Sequence, residues 1–322
     1  MPTQPAAASR EEIAAALKGR DFLGLVDYKP EEIRYLIDLA IELKHKQKAG
    51  EVYQPLKGKT LGMIFEKSST RTRISFEVGM FQLGGHALFL SRNDIQMGRG
   101  EPIRDTAQVL SRYLDGMIIR TFGHMNVVEL ARASTIPVIN ALSDQSHPCQ
   151  ALADYQTVLE HKGRLEGLKV AYIGDGNNMA HSLMMGAAKL GMHFASATPA
   201  GYEPDAGIIK ISKEAAAETG GRIDVLLDPR EAIENADIVY TDVWASMGFE
   251  EEQKEREKAF KNYQVNEALT QYAKSDYLFL HCLPAHRGEE VSEGVIDGPH
   301  SIIFDEAENR LHAQKAIMAA IM

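Results

Sequence analysis

The chain has 322 residues, 44% of them hydrophobic and 25% charged, with a formal net charge of −10. This much apolar material can bury a large core in two domains or one large α/β unit, which excludes disorder as the main state. The acidic balance argues against a nucleic-acid or anionic-membrane partner, so an anionic substrate would need a local basic pocket working against the global field.

Ser9, followed three residues later by Glu12, is a capping-box pattern that opens a helix through Leu17, and Pro30-Glu31-Glu32 opens a second through about Lys46. From Lys59 the pattern changes. LGMIFEK reads as a buried strand, SSTRTRISFEVGMFQLGG as a loop entering a helix that stops at Gly84-Gly85, and ALFL as the next strand. DTAQVLSRYL (helix), GMIIRTF (strand), VVELARAS (helix) and PVINAL (strand) continue the alternation to the polar segment SDQSHPCQ. The helix ALADYQTVLEHKG leads into a second series. It comprises KVAYIGDG, a helix from about Met179 to Leu190, HFASAT, a helix around Ser212 to Thr219, RIDVLLD, a helix around Arg230 to Asn235, DIVYTDVW, and a last strand in DYLFLHCLPAHRG. MGFEEEQKEREKAFKNY reads as a charged loop running into a helix, and ENRLHAQKAIMAAIM as an apolar C-terminal helix. Such alternation implies parallel sheets. The expectation is an α/β protein of two doubly wound parallel-sheet domains, residues 1–150 and 151–322, with the C-terminal helix packing back on the first.

Cys149 and Cys282 lie far apart and suggest neither a disulfide framework nor a CxxC metal site. Residues 1–10 have no leader-like pattern, and the apolar runs fall short of the roughly 20 residues a bilayer span requires. A soluble protein of a reducing cytoplasm is expected.

A strand followed by Ser68-Ser69-Thr70-Arg71-Thr72-Arg73 and a helix puts hydroxyls, backbone N–H groups and guanidinium groups at one helix N-terminus. It lacks the GxxxxGK[ST] spacing of a nucleotide loop. The same residues also suit a Ser/Thr N-cap with two solvated arginines. Position favours the anion site, because ligands of parallel sheets bind beyond the carboxyl ends of the strands. SSTRTR resembles the carbamoyl phosphate loop of the aspartate and ornithine carbamoyltransferases. The resemblance implies that Ser69, Thr70, Arg71 and Thr72 hold phosphate, and that Gln96 reaches the phosphate site of a neighbouring subunit in a trimer.

Further motifs extend the resemblance. Transfer of a carbamoyl group needs donors on the carbonyl oxygen as it becomes an oxyanion, and Arg120, ending GMIIR, and His147 in HPCQ are candidates. His-Pro-x-Gln resembles the family motif that binds the carbamoyl group, which gives His147 and Gln150 that role and makes Arg120 the bridging arginine. YIGDGNNMAHS begins like a dinucleotide turn, but Met179 stands where the third glycine belongs. Its asparagines suit an amino-acid carboxylate or simply a turn and cap, and Asn178 matches the family's ornithine-binding asparagine. TDVWASMG carries the Asp-x-x-x-Ser-Met-Gly signature of the ornithine enzymes and implies substrate contacts for Asp242, Ser246 and Met247. HCLPAHRG resembles the motif whose cysteine meets the side-chain amine, so Cys282 and Leu283 inherit that place, and Arg310 in EAENR inherits a carbamoyl phosphate contact.

The resemblance thus implies carbamoyl transfer from carbamoyl phosphate to the side-chain amine of L-ornithine, with Cys282, Arg120 and His147 as the catalytic set. The products would be citrulline and phosphate, in arginine biosynthesis or, in reverse, in arginine degradation. No metal or organic cofactor is expected, and the family's unit is a homotrimer or a multiple of trimers. The rival readings are another amine acceptor such as putrescine or N-acetylornithine, a nicotinamide-dependent dehydrogenase built on the GDG turn, and a non-catalytic protein that keeps the fold.

Overall fold

The structure is a computed structural model that describes residues 8–245 and 252–322. In chain order the first half contains α1 (Arg10–Leu17), α2 (Pro30–Lys48), β1 (Thr60–Phe65), α3 (Thr70–Gln82), β2 (His86–Ser91), α4 (Ile103–Leu110), β3 (Gly116–Arg120), α5 (His124–Ala133), β4 (Val138–Leu142) and α6 (Pro148–Lys162). The second half contains β5 (Lys169–Ile173), α7 (Asn178–Lys189), β6 (His193–Ala197), α8 (Ala206–Thr219), β7 (Arg222–Leu226), α9 (Pro229–Ile233), β8 (Ile238–Thr241), α10 (Gln253–Ala259), α11 (Glu267–Thr270), β9 (Leu278–Leu280), α12 (Glu293–Ile296) and α13 (Ile303–Ile321).

The described strands make two parallel sheets, ordered β2-β1-β3-β4 and β7-β6-β5-β8-β9. Helices cover both faces of such sheets, so the central strands are buried throughout, as β3 and β8 are. In each sheet the order reverses once, between β1 and β3 in the first and between β5 and β8 in the second. At such a reversal the loops leave neighbouring strands in opposite directions and open a crevice. The loops that follow β1 and β3 carry SSTRTR and Arg120, and those that follow β5 and β8 carry the asparagines and Asp242.

Among the described residues the expected element types hold and their bounds move; the first part of the charged loop expected from Met247 lies outside them. Strand β3 stops at Arg120, where its register with β4 shifts between Ile119 and Arg120. Helix α8 begins at Ala206 rather than near Ser212: Asp205 accepts hydrogen bonds from the amides of Gly207 and Ile208 at 2.8 and 3.1 Å, and this cap offsets the weak propensity of Gly207. Helix α13 begins at Ile303, five residues before the expected start, and its N-cap residue Ile302 makes no side-chain hydrogen bond that would have marked the boundary.

Helix α13 packs on α2, α3 and α6. The approach to α3 is close: a Cβ on Gly79 would lie 3.1 Å from Met318 Cε and 3.2 Å from Lys315 Cγ, so even a methyl group there requires these side chains to shift. A buried polar tie joins three of these helices. Lys44 of α2 donates to Glu160 of α6 at 2.7 Å and to Asn309 of α13 at 2.8 Å. Removing one member of such a buried pair typically costs about 3–5 kcal/mol, since the other charge stays buried.

Candidate active site

A cavity of about 330 Å³ opens where the carboxyl ends of the two sheets face each other. One wall carries Arg71, Thr72, Arg120, His147, Gln150 and Arg310; the other carries Asn178, Asp242, Cys282 and Leu283. Among the described residues three larger cavities, of about 440, 410 and 400 Å³, lie elsewhere, and none of them gathers several guanidinium groups.

The first wall is built around the N-terminus of α3. Ser69 is its N-cap and accepts from the Thr72 amide at 3.2 Å, and no acidic side chain occupies the first turn, so the positive end of the helix stays open to an anion. Arg71 faces inward and donates to the Leu283 carbonyl at 2.8 Å, which ties the loop to the opposite wall. Arg73 faces outward, paired with Glu77 at 3.0 Å and stacked 3.7 Å from the Phe89 ring centre. Two residues apart on a helix means about 200° of rotation, so only one of the two arginines can serve the cavity.

Arg120 ends β3, is buried, and keeps its Nε without a hydrogen-bond partner. Burial, with Arg310 and Arg71 adding repulsion, lowers its pKa to about 10, and the group stays cationic at neutral pH. The buried ring of His147 has an unpartnered Nδ1, and burial followed by Arg310, Arg120 and Arg71 pushes its pKa well below the usual range. A neutral imidazole among three cations is an uncharged donor that adds no further repulsion. The Arg310 guanidinium donates to Gln150 Oε1 at 2.6 Å and to Thr72 Oγ1 at 3.2 Å.

The second wall is carboxylate and amide. Asn177 caps α7, accepting from the amides of Met179 and Ala180 at 2.8 and 3.2 Å, and donates to Asp242 Oδ2 at 3.0 Å. Asn178, one residue on, donates to the Ser143 carbonyl at 2.7 Å and lines the cavity. The turn and cap role therefore falls to Asn177, and Asn178 stands on the cavity wall. Gly176 is needed for packing, since a Cβ there would lie 2.2 Å from Pro204 N, and its amide donates to the Tyr202 carbonyl at 2.9 Å. The space a pyrophosphate would need beside this turn is filled by backbone.

The Cys282 thiol donates to Asp242 Oδ1 at 3.2 Å. Burial, with Asp242 and Glu306 adding repulsion, pushes the thiol well above its ordinary pKa, so it is protonated. Leu283 has φ +57°, a costly conformation for a branched side chain, held by its amide donating to His281 Nδ1 at 2.9 Å and its carbonyl accepting from Arg71. Asp242, His281 and Cys282 bring donor atoms within 4.8 Å of one another, but Nδ1 of His281 is already used and its Nε2 lies 3.1 Å from Glu290.

The carbamoyl-phosphate-binding model of the aspartate/ornithine carbamoyltransferases matches residues 20–160, and the aspartate/ornithine-binding model matches residues 166–321. An ornithine carbamoyltransferase of Anoxybacillus flavithermus is 65% identical over 306 residues, 95% of this chain and 98% of that protein. The chain belongs to the ornithine carbamoyltransferase family. An anabolic member of this carbamoyltransferase family from Pyrococcus furiosus is 56% identical over 310 residues, 96% of this chain and 98% of its own length. The solved ornithine carbamoyltransferase from Pyrococcus furiosus superposes with a TM-score of 0.93 at 57% identity, covering 95% of this chain and 98% of that one.

Of the carbamoyltransferase residues anticipated from sequence, Ser69, Thr70, Arg71, Thr72, Arg120, His147, Gln150, Asn178, Asp242, Cys282, Leu283 and Arg310 line this one cavity. Gln96 does not; it is exposed at the start of a 3-10 turn, Gln96–Arg99. Ser246 and Met247 lie outside the described residues. Sequence reasoning missed Asn177, which fixes Asp242, and two buried acids, Asp154 and Glu306, behind Gln150. The acids had a signal: Asp154 follows Gln150 by four residues on a buried helix, and Glu306 precedes Arg310 by four.

Proposed function

We propose that this chain transfers the carbamoyl group of carbamoyl phosphate to the side-chain amine of L-ornithine, giving L-citrulline and phosphate. The observation that carries the reading is the convergence, in one cavity, of three guanidinium groups and a helix N-terminus opposite a carboxylate, an amide and a thiol. Phosphate sits on the N-terminus of α3 with Ser69, Thr70, Arg71 and Thr72. Arg120 bridges phosphate and carbonyl oxygen, and His147 and Thr72 join it on the oxygen as charge develops there. Gln150 and Arg310 hold the carbamoyl end.

Asn178 takes the α-carboxylate of ornithine and Asp242 its α-ammonium, with Ser246 and Met247 completing the acceptor set. The side-chain ammonium has a reference pKa near 10 and must lose a proton before it attacks. Cys282, protonated and tied to Asp242, meets this nitrogen through its sulfur lone pairs, and Leu283 flanks it. Attack of the neutral amine on the carbonyl carbon gives a tetrahedral intermediate whose nitrogen gives up a proton to the departing phosphate, which is expelled as hydrogen phosphate into the arginine-lined wall. Putrescine is a poorer acceptor, because it offers Asn178 no carboxylate.

Residues 1–150 form the carbamoyl phosphate unit and residues 151–322 the ornithine unit. The active assembly is a homotrimer in which Gln96 completes a neighbour's phosphate site. An apolar stripe on α3 supports this: Ile74, Val78 and Phe81, at i, i+4 and i+7, are 53%, 37% and 77% exposed. The place is the cytoplasm and the direction arginine biosynthesis; the anabolic name of the Pyrococcus furiosus relative supports that direction, and no helix among the described residues is long and apolar enough to cross a membrane. The deciding test offers carbamoyl phosphate with ornithine, putrescine, N-acetylornithine or aspartate. Ornithine-selective product formation is the expected result, and preference for another amine overturns the roles of Asn178 and Asp242.

A further inference from the structure

We propose that Asp154 and Glu306 form a proton-sharing pair of positioning residues that sets which way the Gln150 carboxamide faces. The inference rests on the assignment of Gln150 to the carbamoyl group. Gln150 Nε2 donates to Asp154 Oδ1 at 2.8 Å and to Glu306 Oε1 at 3.1 Å. Both amide hydrogens are thereby used, and the amide oxygen is turned to Arg310 and the cavity. An amide has two acceptor sites on that oxygen. One takes Arg310 Nη1 at 2.6 Å, and the other is left for an N–H of the carbamoyl group. Were the amide reversed, two N–H donors would face a guanidinium and a carbamoyl amine, and both contacts would be lost.

The pair is fully buried, and both carboxyls accept from the one Gln150 Nε2, at 2.8 and 3.1 Å, which holds them side by side. Like charges at that distance in a dry site cannot both ionise, so one proton stays between them. The remaining single negative charge balances Arg310. Other contacts fix the geometry: Tyr240 Oη donates to Glu306 Oε1 at 3.2 Å and the His281 amide to Glu306 Oε2 at 2.8 Å. The titratable and charged groups around the pair are Arg310 on α13, Tyr155 on α6, Tyr240 on β8, and Cys282 with Asp242 beyond β9 and β8. Burial pushes both carboxyls upward, in keeping with the shared proton. The Glu306 bond to the His281 amide also links the carbamoyl wall to the segment that carries Cys282.

The test compares Glu306→Met, Glu306→Gln and Gln150→Ala with the unaltered protein, measuring KM for each substrate and the pH profile of kcat/KM for carbamoyl phosphate at saturating ornithine. Glu306→Met removes one acceptor and should raise KM for carbamoyl phosphate about tenfold, the scale of one hydrogen bond to a charged group, while KM for ornithine changes less than about twofold. The unaltered protein should lose kcat/KM toward alkaline pH as the shared proton leaves. Glu306→Gln, which keeps a hydrogen on the pair at every pH, should recover part of the methionine variant's loss and show no such fall. Superimposable pH profiles, or an unchanged KM in Glu306→Met, overturn the proposal; if the methionine variant does not fold, the glutamine profile decides alone. Gln150→Ala separates the two assignments. If it leaves KM for carbamoyl phosphate unchanged, the role of Gln150 itself fails; if it raises KM while Glu306→Met does not, only the positioning inference fails.

Discussion

The two walls of the cavity use one architectural device to opposite electrostatic ends. Each lies at the reversal of strand order in a parallel sheet, where loops from neighbouring strands diverge. The β1/β3 reversal gathers Arg71, Arg120, the open end of α3 and, from α13, Arg310; the β5/β8 reversal gathers Asp242 and two asparagines. A chain with a net charge of −10 therefore keeps a cationic wall for an anionic substrate, and the wall works because its charges are desolvated and close together. Fold position selects where a ligand binds, and side-chain charge selects which one.

The largest effect should come from the cationic wall. Replacing Arg120 with methionine should lower kcat by about 10²–10³-fold, the usual scale for one donor to a developing oxyanion, measured by steady-state citrulline formation. A loss below tenfold would mean that Arg120 binds phosphate without touching the carbonyl. On the opposite wall, Asp242→Asn should raise KM for ornithine by roughly ten- to hundredfold and leave KM for carbamoyl phosphate nearly constant. Equal changes in both constants would erase the division between the walls.

Phe81→Glu places a charge in the apolar stripe of α3 and should dissociate the proposed trimer, seen by light scattering, with activity falling as the neighbour contact proposed for Gln96 is lost. A monomer of full activity would break the trimer reading. A smaller effect concerns pH and stability. Burial and the nearby Lys315 lower the pKa of His312 to about 4, whereas in the unfolded chain it titrates near 6.5. Between those values the unfolded state binds more protons, so stability falls as pH drops from about 6.5 toward 4. In His312→Gln the melting temperature should fall less steeply across that window. Least of all, Arg73→Ala should change KM for carbamoyl phosphate by less than about twofold, since its guanidinium is held outside by Glu77 and Phe89.

Arg71 and Arg73 also show how far sequence reaches. The motif located the phosphate wall, and helix rotation already implies that the two arginines part, but the face that turns inward is decided by where α13 and the Leu283 carbonyl lie, long-range contacts that no local window contains. The alternation of strands and helices was legible because parallel sheets need buried apolar strands; the starts of α8 and α13 were not, because one rests on a cap before a glycine and the other lacks a capping side chain. Asp154 and Glu306 carried only a weak local signal, for a related reason. An acid in an apolar helix has a meaning only when its partner, about 150 residues away in sequence, is known.

Helix α13 has one more consequence. Ser69 to Thr72, Arg120, His147 and Gln150 belong to the first half of the chain, but Arg310, which holds Gln150 and Thr72 in place, is made after every other residue of the cavity. A nascent chain that has folded its first sheet therefore still lacks the guanidinium that ties Gln150 to Thr72, and this wall of the cavity is completed only by the last helix to be synthesised.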